Sequence, residues 1–497
     1  MSGTKTAVPR VGALGCPAMN KGDAPAKGLV RNLGLLGAVA VSLAVVGPSM
    51  SVSLNPQAMA EQVGGAVPIA YLFALVPIAT IAVAFVFLTR RHGTAGSLYT
   101  LIGLELGPRA GAISGLWLLI AYCSFTAITA SSFGIFLASF IEAVTSISVD
   151  SLGTFALMAA GMLLALAFSI RPARRASHLL LGMEGLTMTL ITVTIIITFI
   201  TLVTVGGPEG QGIDFADFKF EGVSTEALGL AMTFAILSTA GFEGAAAAGE
   251  ETRNPTRNVP MAIIATAILV NVFYIVVSGV GVWAFGIEPK QLEAFEASAS
   301  LPGDIADTYV TQGLGDYITL GGAISSLACM IAAQIAGGRV MFAFGRDGVF
   351  PRRLGKLSPR WSTPVLASVI TATVGSVMVA LSTIPTSAVP FSVFELTSDY
   401  AGVLISSAYG AACVAAAVVL WRRGGRDRLA GLIPALGVVI VVAVLYFSLF
   451  PLPSGWELVA PLAGVSTVIV MAVIGVLISR DGKKPTRMSE HSSGPES

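Results

Sequence analysis

Twelve apolar blocks succeed one another along the chain, near residues 33–61, 66–89, 110–140, 152–170, 177–205, 227–250, 259–286, 314–345, 363–382, 391–421, 430–450 and 456–479. Each supplies the roughly 20 helical residues that cross a bilayer core of about 30 Å, so the pattern predicts an all-α integral membrane protein of twelve spans. Two blocks are broken by glycine where an ordinary span stays apolar, at Gly47-Pro48-Ser49 and at Gly241-Phe242-Glu243-Gly244. A broken helix frees backbone donors and acceptors in hydrocarbon and survives only where it lines a cavity. Glycine also packs membrane helices, and with 55 Gly in the chain a single break would mean little. A matched pair is harder to dismiss. Spans 1 and 6 run in opposite directions and break at comparable depth, the footprint of an inverted five-plus-five repeat with a ligand site between the two discontinuous helices. Residues 28–205 then form the first repeat, 206–425 the second, and 426–480 two accessory spans.

Composition agrees with a membrane chain: 54% of the 497 residues are apolar, 11% are charged, and the mean hydropathy is +0.82, outside the usual soluble range. Charge tests the span count independently, because Lys and Arg in short loops stay on the cytoplasmic side. With both termini inside, every basic residue except Lys219 and Lys290 falls in a cytoplasmic segment. Losing or adding one span would destroy that alternation. The opposite loops are acidic, with Glu209, Asp214, Asp217, Glu221 and Glu226 before span 6 and Glu288, Glu293, Glu296, Asp304 and Asp307 after span 7. They read as a solvated face in preference to a cation-collecting vestibule. The excess of Arg over Lys, with abundant Ala, Gly and Val, points to a GC-rich bacterial source, hence a multi-pass protein of the bacterial cytoplasmic membrane.

The first apolar block begins after about thirty polar and mixed residues and is too long for a signal-peptide core, so no cleavage is expected. Residues 1–27 and 481–497 have the composition of disordered tails. Cys16, Cys123, Cys329 and Cys413 lack metal-like spacing, and His92, His178 and His491 are isolated, so neither a metal nor another cofactor is expected. No Ser-His-Asp or H-E-x-x-H arrangement occurs in the spans, which argues against an enzyme. Neither tail is long enough for a sensor's output domain. Nothing suggests a nucleic-acid partner; the expected partners are the bilayer, a small molecule and a coupling proton. Oligomeric state is not encoded in any of these features.

Three motif groups resemble a known family, the amino acid-polyamine-organocation permeases. Ala95-Gly96-Ser97-Leu98-Tyr99, Leu106-Gly107-Pro108 and Gly115-Leu116-Trp117 are similar to its A-G-G-x-Y, L-G and G-W pattern between spans 2 and 3. Gly241-Phe242-Glu243, Glu250-Glu251-Thr252-Arg253-Asn254-Pro255 and Arg257-Asn258-Val259-Pro260 resemble its G-x-E, E-E-x-x-N-P and R-N-x-P series after span 6. Gly338-Arg339, Arg346-Asp347-Gly348 and Pro351 resemble its signature after span 8, with Gly338 in place of Ser. The resemblance spans the two repeats and implies a permease; it does not choose a substrate.

The breaks suggest what the site binds. Where span 1 unwinds, over Val46, Gly47, Ser49, Met50 and Ser51, amides opening its second half favour a carboxylate by roughly 0.3–1 kcal/mol or more. Where span 6 unwinds, over Ser238, Thr239, Ala240, Gly241 and Phe242, freed carbonyls of the first three can accept from an ammonium group. An α-amino acid carries both groups, and the resemblance implies the same assignment. The family's usual G-x-G at span 1 is here Gly47-Pro48-Ser49-Met50-Ser51. Proline has no N–H to give, which shifts weight toward an amine.

Intramembrane carboxylates cost roughly 2.5–3.5 kcal/mol to insert and mark functional positions. Glu243 follows the second break, as a proton carrier or as a tie for unwound backbone. Glu184 lies in span 5, where the resemblance implies a lysine in some members; glutamate inverts that charge, leaving a proton carrier or a residue paired across to another helix. Asp399, near the outer end of span 10, is either solvated or a substrate contact. Glu250 and Glu251 beside Arg253 are expected to form a cytoplasmic network. Ser325, Ser326, Cys329 and Gln334 are cavity candidates or helix contacts. Phe242 is a lid candidate, while Trp117 and Tyr122 read equally as packing residues. The expectation is secondary active import of an amino acid, proton-coupled, by alternating access. A polyamine or organic-cation carrier and an amino acid exchanger are the alternatives.

Overall fold

The computed structural model describes residues 33–92, 98–171, 174–220, 222–247, 252–361, 363–450, 452 and 455–479. Both expected tails, the motif residues Ala95, Gly96 and Ser97, and Glu250 and Glu251 lie outside the described residues. The described chain is helical, its one β contact being the isolated bridge Leu33–Thr252. The helices are α1 (Leu35–Val46), α2 (Pro48–Val63), α3 (Val67–His92), α4 (Leu98–Leu106), α5 (Pro108–Thr145), α6 (Ser151–Ser169) and α7 (Arg174–Thr204). Then come α8 (Thr225–Thr239), α9 (Gly244–Ala247), α10 (Pro255–Phe285), α11 (Pro289–Glu296), α12 (Leu301–Tyr309) and α13 (Gln312–Arg346). The last are α14 (Val365–Ser382), α15 (Pro390–Arg423), α16 (Gly425–Ala430), α17 (Leu432–Phe447) and α18 (Val459–Ile478). Proline opens α2, α5, α10, α11 and α15, a position where its missing N–H is not needed.

Among the described residues, 11 helical stretches are long and apolar enough to cross a membrane. Twelve were expected, and the difference lies at the start. The first stretch, Leu35–Arg91, runs 57 residues and takes in both of the first two apolar blocks. It is interrupted at Gly47 and by a short 3-10 turn, Gly64–Ala66, and its roughly 85 Å of helix far exceeds one bilayer core.

Burial sorts the helices into two layers. In α5 and in the stretch containing α8, 83% of the apolar window is buried within the protein, against 17% in that containing α18 and 28% in α6. The buried helices α13 and α15 both pack along α5, while α1–α2 lie against α10 and α13 and α8–α9 against α10 and α15. The peripheral helices keep large apolar side chains outward, among them Leu163, Val439 and Ile469, as a lipid-facing surface requires.

Charged ends segregate. At one end Tyr99 donates to Asp347, Arg346 pairs with Asp347 at 3.1 Å, Arg91 pairs with Glu105, and Arg423 lies over the Phe87 ring. The other end carries α11, α12 and the carboxylates Glu61, Glu296, Asp304, Asp307 and Glu395.

Candidate functional site

Gly47 separates α1 from α2 with φ 59° and ψ 61°, a left-handed conformation that glycine adopts at no steric cost. The helix restarts at Pro48, which has no N–H, so the first donors of α2 are those of Ser49 and Met50. Both are taken by distant helices. The Ser49 N–H donates to Glu184 Oε1 of α7 at 2.9 Å, and the Met50 N–H donates to Ser325 Oγ of α13 at 3.2 Å. On the other side of the break, the Val45 carbonyl accepts from the Cys329 thiol at 2.9 Å and the Val46 carbonyl from Ser51 Oγ at 3.2 Å. Glu184 is 4% exposed, and its second oxygen, Oε2, is buried without a hydrogen-bond partner. The neighbouring Ser49 Oγ is also unpartnered.

The second break spans Ala240–Glu243, between α8 and α9, with Gly241 at φ 109°. Glu243 closes it locally. Its Oε2 accepts from the Gly241 N–H at 3.0 Å and from the Tyr409 hydroxyl at 2.6 Å, and its Oε1 is 3.5 Å from the Tyr122 hydroxyl. One carboxylate thus ties the unwound backbone to α15 and α5. The Ser238 carbonyl accepts from the Tyr274 hydroxyl at 2.8 Å, and the Thr239 carbonyl from the Phe242 N–H at 3.3 Å.

The two breaks meet. Ser42 of α1 donates to the Phe242 carbonyl at 2.9 Å and accepts from the Ala245 N–H at 2.9 Å, while Asn55 Nδ2 of α2 donates to Ser238 Oγ at 2.6 Å. The contact is close enough that a Cβ on Gly241 would sit 2.8 Å from Val45 Cγ1 and 2.9 Å from the Val45 and Val46 backbone. Beside it lies a cavity of about 30 Å³ lined by Val45, Val46, Met50, Ser51, Asn55, Phe125, Ile128, Thr129, Leu237, Ala240 and Cys329. That is room for a water or two.

Of the expected site residues, Val46, Met50, Ser51 and Ala240 line this cavity, Gly47 and Gly241 lie in the breaks, and Ser49 belongs to the first turn of α2. Ser238 and Thr239, expected to be unwound, instead close α8, and their carbonyls are taken by the Tyr274 hydroxyl and the Phe242 N–H. The Phe242 ring is 1% exposed and packs against Phe85 and Tyr409 instead of lining the cavity. Trp117 Nε1 donates to the Val468 carbonyl of α18, and Ser326 bonds back to Gly322; both are packing contacts. Gln334 accepts from Ser169 at 3.0 Å. Ser42, Asn55, Thr129 and Tyr409 escaped the sequence reading. Asn55 carried a usable signal, since it follows Ser51 by one helical turn inside an apolar block.

Asp399 lies in a carboxyl cluster with Glu395, Glu61 and Glu457, and its Oδ1 is shut from solvent without a partner. Outside the candidate spans, burial together with Asp316 and Asp304 raises the Asp307 carboxyl to about 6. Among the described residues no group of three or more His, Cys, Asp or Glu could hold a metal ion.

The chain matches the amino acid permease family over residues 33–478. It is 26% identical over 308 residues to the low-affinity putrescine importer of Escherichia coli, covering 61% of this chain and 64% of that protein's length. It is 24% identical over 374 residues to the branched-chain amino acid permease of Bacillus subtilis, covering 71% and 76% of the two chains. With the vacuolar cationic amino acid transporter 4 of Arabidopsis thaliana it shares 26% identity over 372 residues, or 70% and 58% of the two chains. These relatives are transporters and not enzymes, and the family match takes in both breaks: the chain belongs to the amino acid permease family.

Proposed function

We propose that this permease imports an amino acid across the bacterial cytoplasmic membrane together with a proton, by alternating access around the cavity between α1–α2 and α8–α9. One observation carries the proposal: the Ser49 N–H, the first amide donor of α2, is held by the carboxylate of Glu184 at 2.9 Å. An ionised Glu184 occupies the donor a substrate carboxylate needs and repels that carboxylate. Protonation weakens Glu184 as an acceptor and removes the repulsion, releasing a helix N-terminus for an anionic group. Proton and substrate then favour each other's binding, and that coupling is reciprocal. This is the sign symport requires.

The 57-residue first stretch supports two crossings, which makes twelve in all with the acidic end outside and both termini in the cytoplasm. The breaks fall in the first and sixth of these, in keeping with an inverted repeat of residues 28–205 and 206–425 followed by accessory spans at 426–480. We assign Glu243 to holding the second break, because its Oε2 accepts from both the Gly241 N–H of the break and the Tyr409 hydroxyl of α15.

A second reading has its own support: Pro48 lacks an N–H, the next two donors are taken, and one relative is a putrescine importer. An organic amine would prefer ionised Glu184 and compete with the proton, so its uptake would rise as external pH rises. The two are separated by uptake into proteoliposomes of labelled neutral, acidic and basic amino acids and polyamines, under an inward proton gradient with a proton shunt as control. Accumulation of an amino acid that collapses with the shunt supports symport. Uptake of carboxylate-free amines that rises with external pH supports the alternative, and label swapping without accumulation makes the protein an exchanger.

A further inference from the structure

Four polar residues lie one helical turn apart along a single face of α2: Ser49, Ser53, Gln57 and Glu61. They cover about 18 Å of helix, from the break at Gly47 to the acidic end. Ser51 and Asn55, which line the substrate cavity, lie two residues out of phase and therefore about 200° around the helix. α2 thus carries two separate polar stripes, and only one faces the cavity.

The second stripe joins two carboxyl sites. At its inner end Ser49 donates its N–H to Glu184. At its outer end Glu61, exposed to solvent, lies beside the buried Glu395. Two adjacent carboxyl groups relieve their mutual repulsion by sharing one proton. Between the ends, Ser53 Oγ donates to the Ser49 carbonyl at 2.7 Å, and Gln57 Nε2 bonds to the Ser53 carbonyl and to the Ser298 carbonyl before α12.

Ser49, Ser53 and Gln57 are at most 1% exposed, yet Ser49 Oγ, Gln57 Oε1 and Glu184 Oε2 have no hydrogen-bond partner. Buried groups of this kind bind water or a passing proton donor. Serine hydroxyls that merely return their bond to the preceding turn would explain Ser53. They do not explain a fully buried glutamine with a spare oxygen one turn from a carboxyl pair.

We infer that the face Ser49-Ser53-Gln57-Glu61 is the route by which protons reach Glu184 from outside, separate from the substrate's path, with Glu61 and Glu395 as the receiving pair. The net step moves one proton: an O–H bond of external hydronium breaks, a Glu61–Glu395 carboxylate oxygen gains the proton, and it passes to a Glu184 carboxylate oxygen. The groups facing the pair are Asp399 on the same helix as Glu395, Glu457 ahead of α18, and Glu296 on α11. All are acids, which favours holding a proton there. Facing Glu184 are the Ser325 hydroxyl and the Cys329 thiol on α13, the Ser49 hydroxyl on α2 and the Tyr274 hydroxyl on α10.

The route presupposes the proton coupling proposed above, and the experiment keeps the two apart. Wild type, E184Q, Q57L and the E61Q/E395Q pair are reconstituted in proteoliposomes. Substrate accumulation and lumenal acidification are read under an inward proton gradient, alongside counterflow exchange without one. D307N is the control, since Asp307 titrates near 6 at the same end but off the stripe. The expected result is that Q57L and E61Q/E395Q lose gradient-driven acidification at least about tenfold, while their counterflow and its half-saturation stay at wild-type values and D307N behaves as wild type. Should E184Q lose the drive while Q57L and E61Q/E395Q keep it, the route is wrong and the role of Glu184 stands. Raised half-saturation in counterflow would make the cluster a substrate collector and overturn the route as well. If wild-type uptake ignores the proton gradient, both proposals fall.

Discussion

The two broken helices solve the same problem differently. At the second break the carboxylate comes from the break itself: Glu243 reaches two residues back to the Gly241 N–H, and two tyrosines complete its shell. At the first break it arrives from another helix, and Glu184 spends one oxygen on Ser49 while the other stays unpartnered in a buried place. A fully satisfied buried carboxylate fixes a structure, whereas one with an unspent oxygen remains sensitive to its next partner. We therefore expect the second break to be the frame and the first to be the switch.

The largest effect should come from closing the contact between them. Gly241→Ala places a methyl group under 3 Å from the Val45 and Val46 backbone, at a φ of 109° that other residues rarely adopt. We expect transport to be lost and thermal stability to fall, measured by counterflow and by melting in detergent. Gly47→Ala is the matched partner: its Cβ would meet Cys329 Cβ at 3.2 Å, a side chain that can give, beside a left-handed strain of about 1–2 kcal/mol. Equal damage at the two sites would remove the distinction between frame and switch.

The next effect separates the two acids. On the proposed coupling, the roughly 2.3 kcal/mol that one proton supplies at 100 mV would drive roughly fiftyfold accumulation through Glu184, at about 1.4 kcal/mol per decade. Glu184→Gln should bring accumulation down to equilibration while exchange continues. Glu243→Gln should retain proton-driven accumulation by whatever protein folds and instead lose about 1–3 kcal/mol of stability, the range for unmaking a buried hydrogen bond. If the two variants trade phenotypes, the assignments are reversed.

Much of this was legible in the chain, for a physical reason. Span length and Lys/Arg placement are constraints on composition, so the apolar blocks and the segregated charged ends appear in one dimension. The breaks were legible too, because Gly47-Pro48 and Gly241 are local backbone requirements. What stayed hidden was every contact between helices distant in sequence. Glu184 was visible as an intramembrane acid, but nothing in sequence places it against Ser49, 135 residues away. Likewise Tyr409 and Glu243 are 166 residues apart. Asp399 could not be placed, because of its acidic neighbours only Glu395 shares its helix, while Glu61 and Glu457 lie on segments distant in sequence.

The smallest effects lie within the shell of Glu243 and test how complete it is. Tyr409→Phe removes a 2.6 Å bond that no other side chain replaces and should lower stability by about 1–3 kcal/mol. Tyr122→Phe removes a 3.5 Å contact, at the limit where a hydrogen bond contributes little, so its melting temperature should stay close to wild type. The order matters more than either value. Tyr122 is the contact on Oε1, and without it that oxygen stands as Glu184 Oε2 does. A Tyr122→Phe variant that melts normally but couples protons differently would mean that the second break can switch as well, and that its stillness depends on one distant hydroxyl.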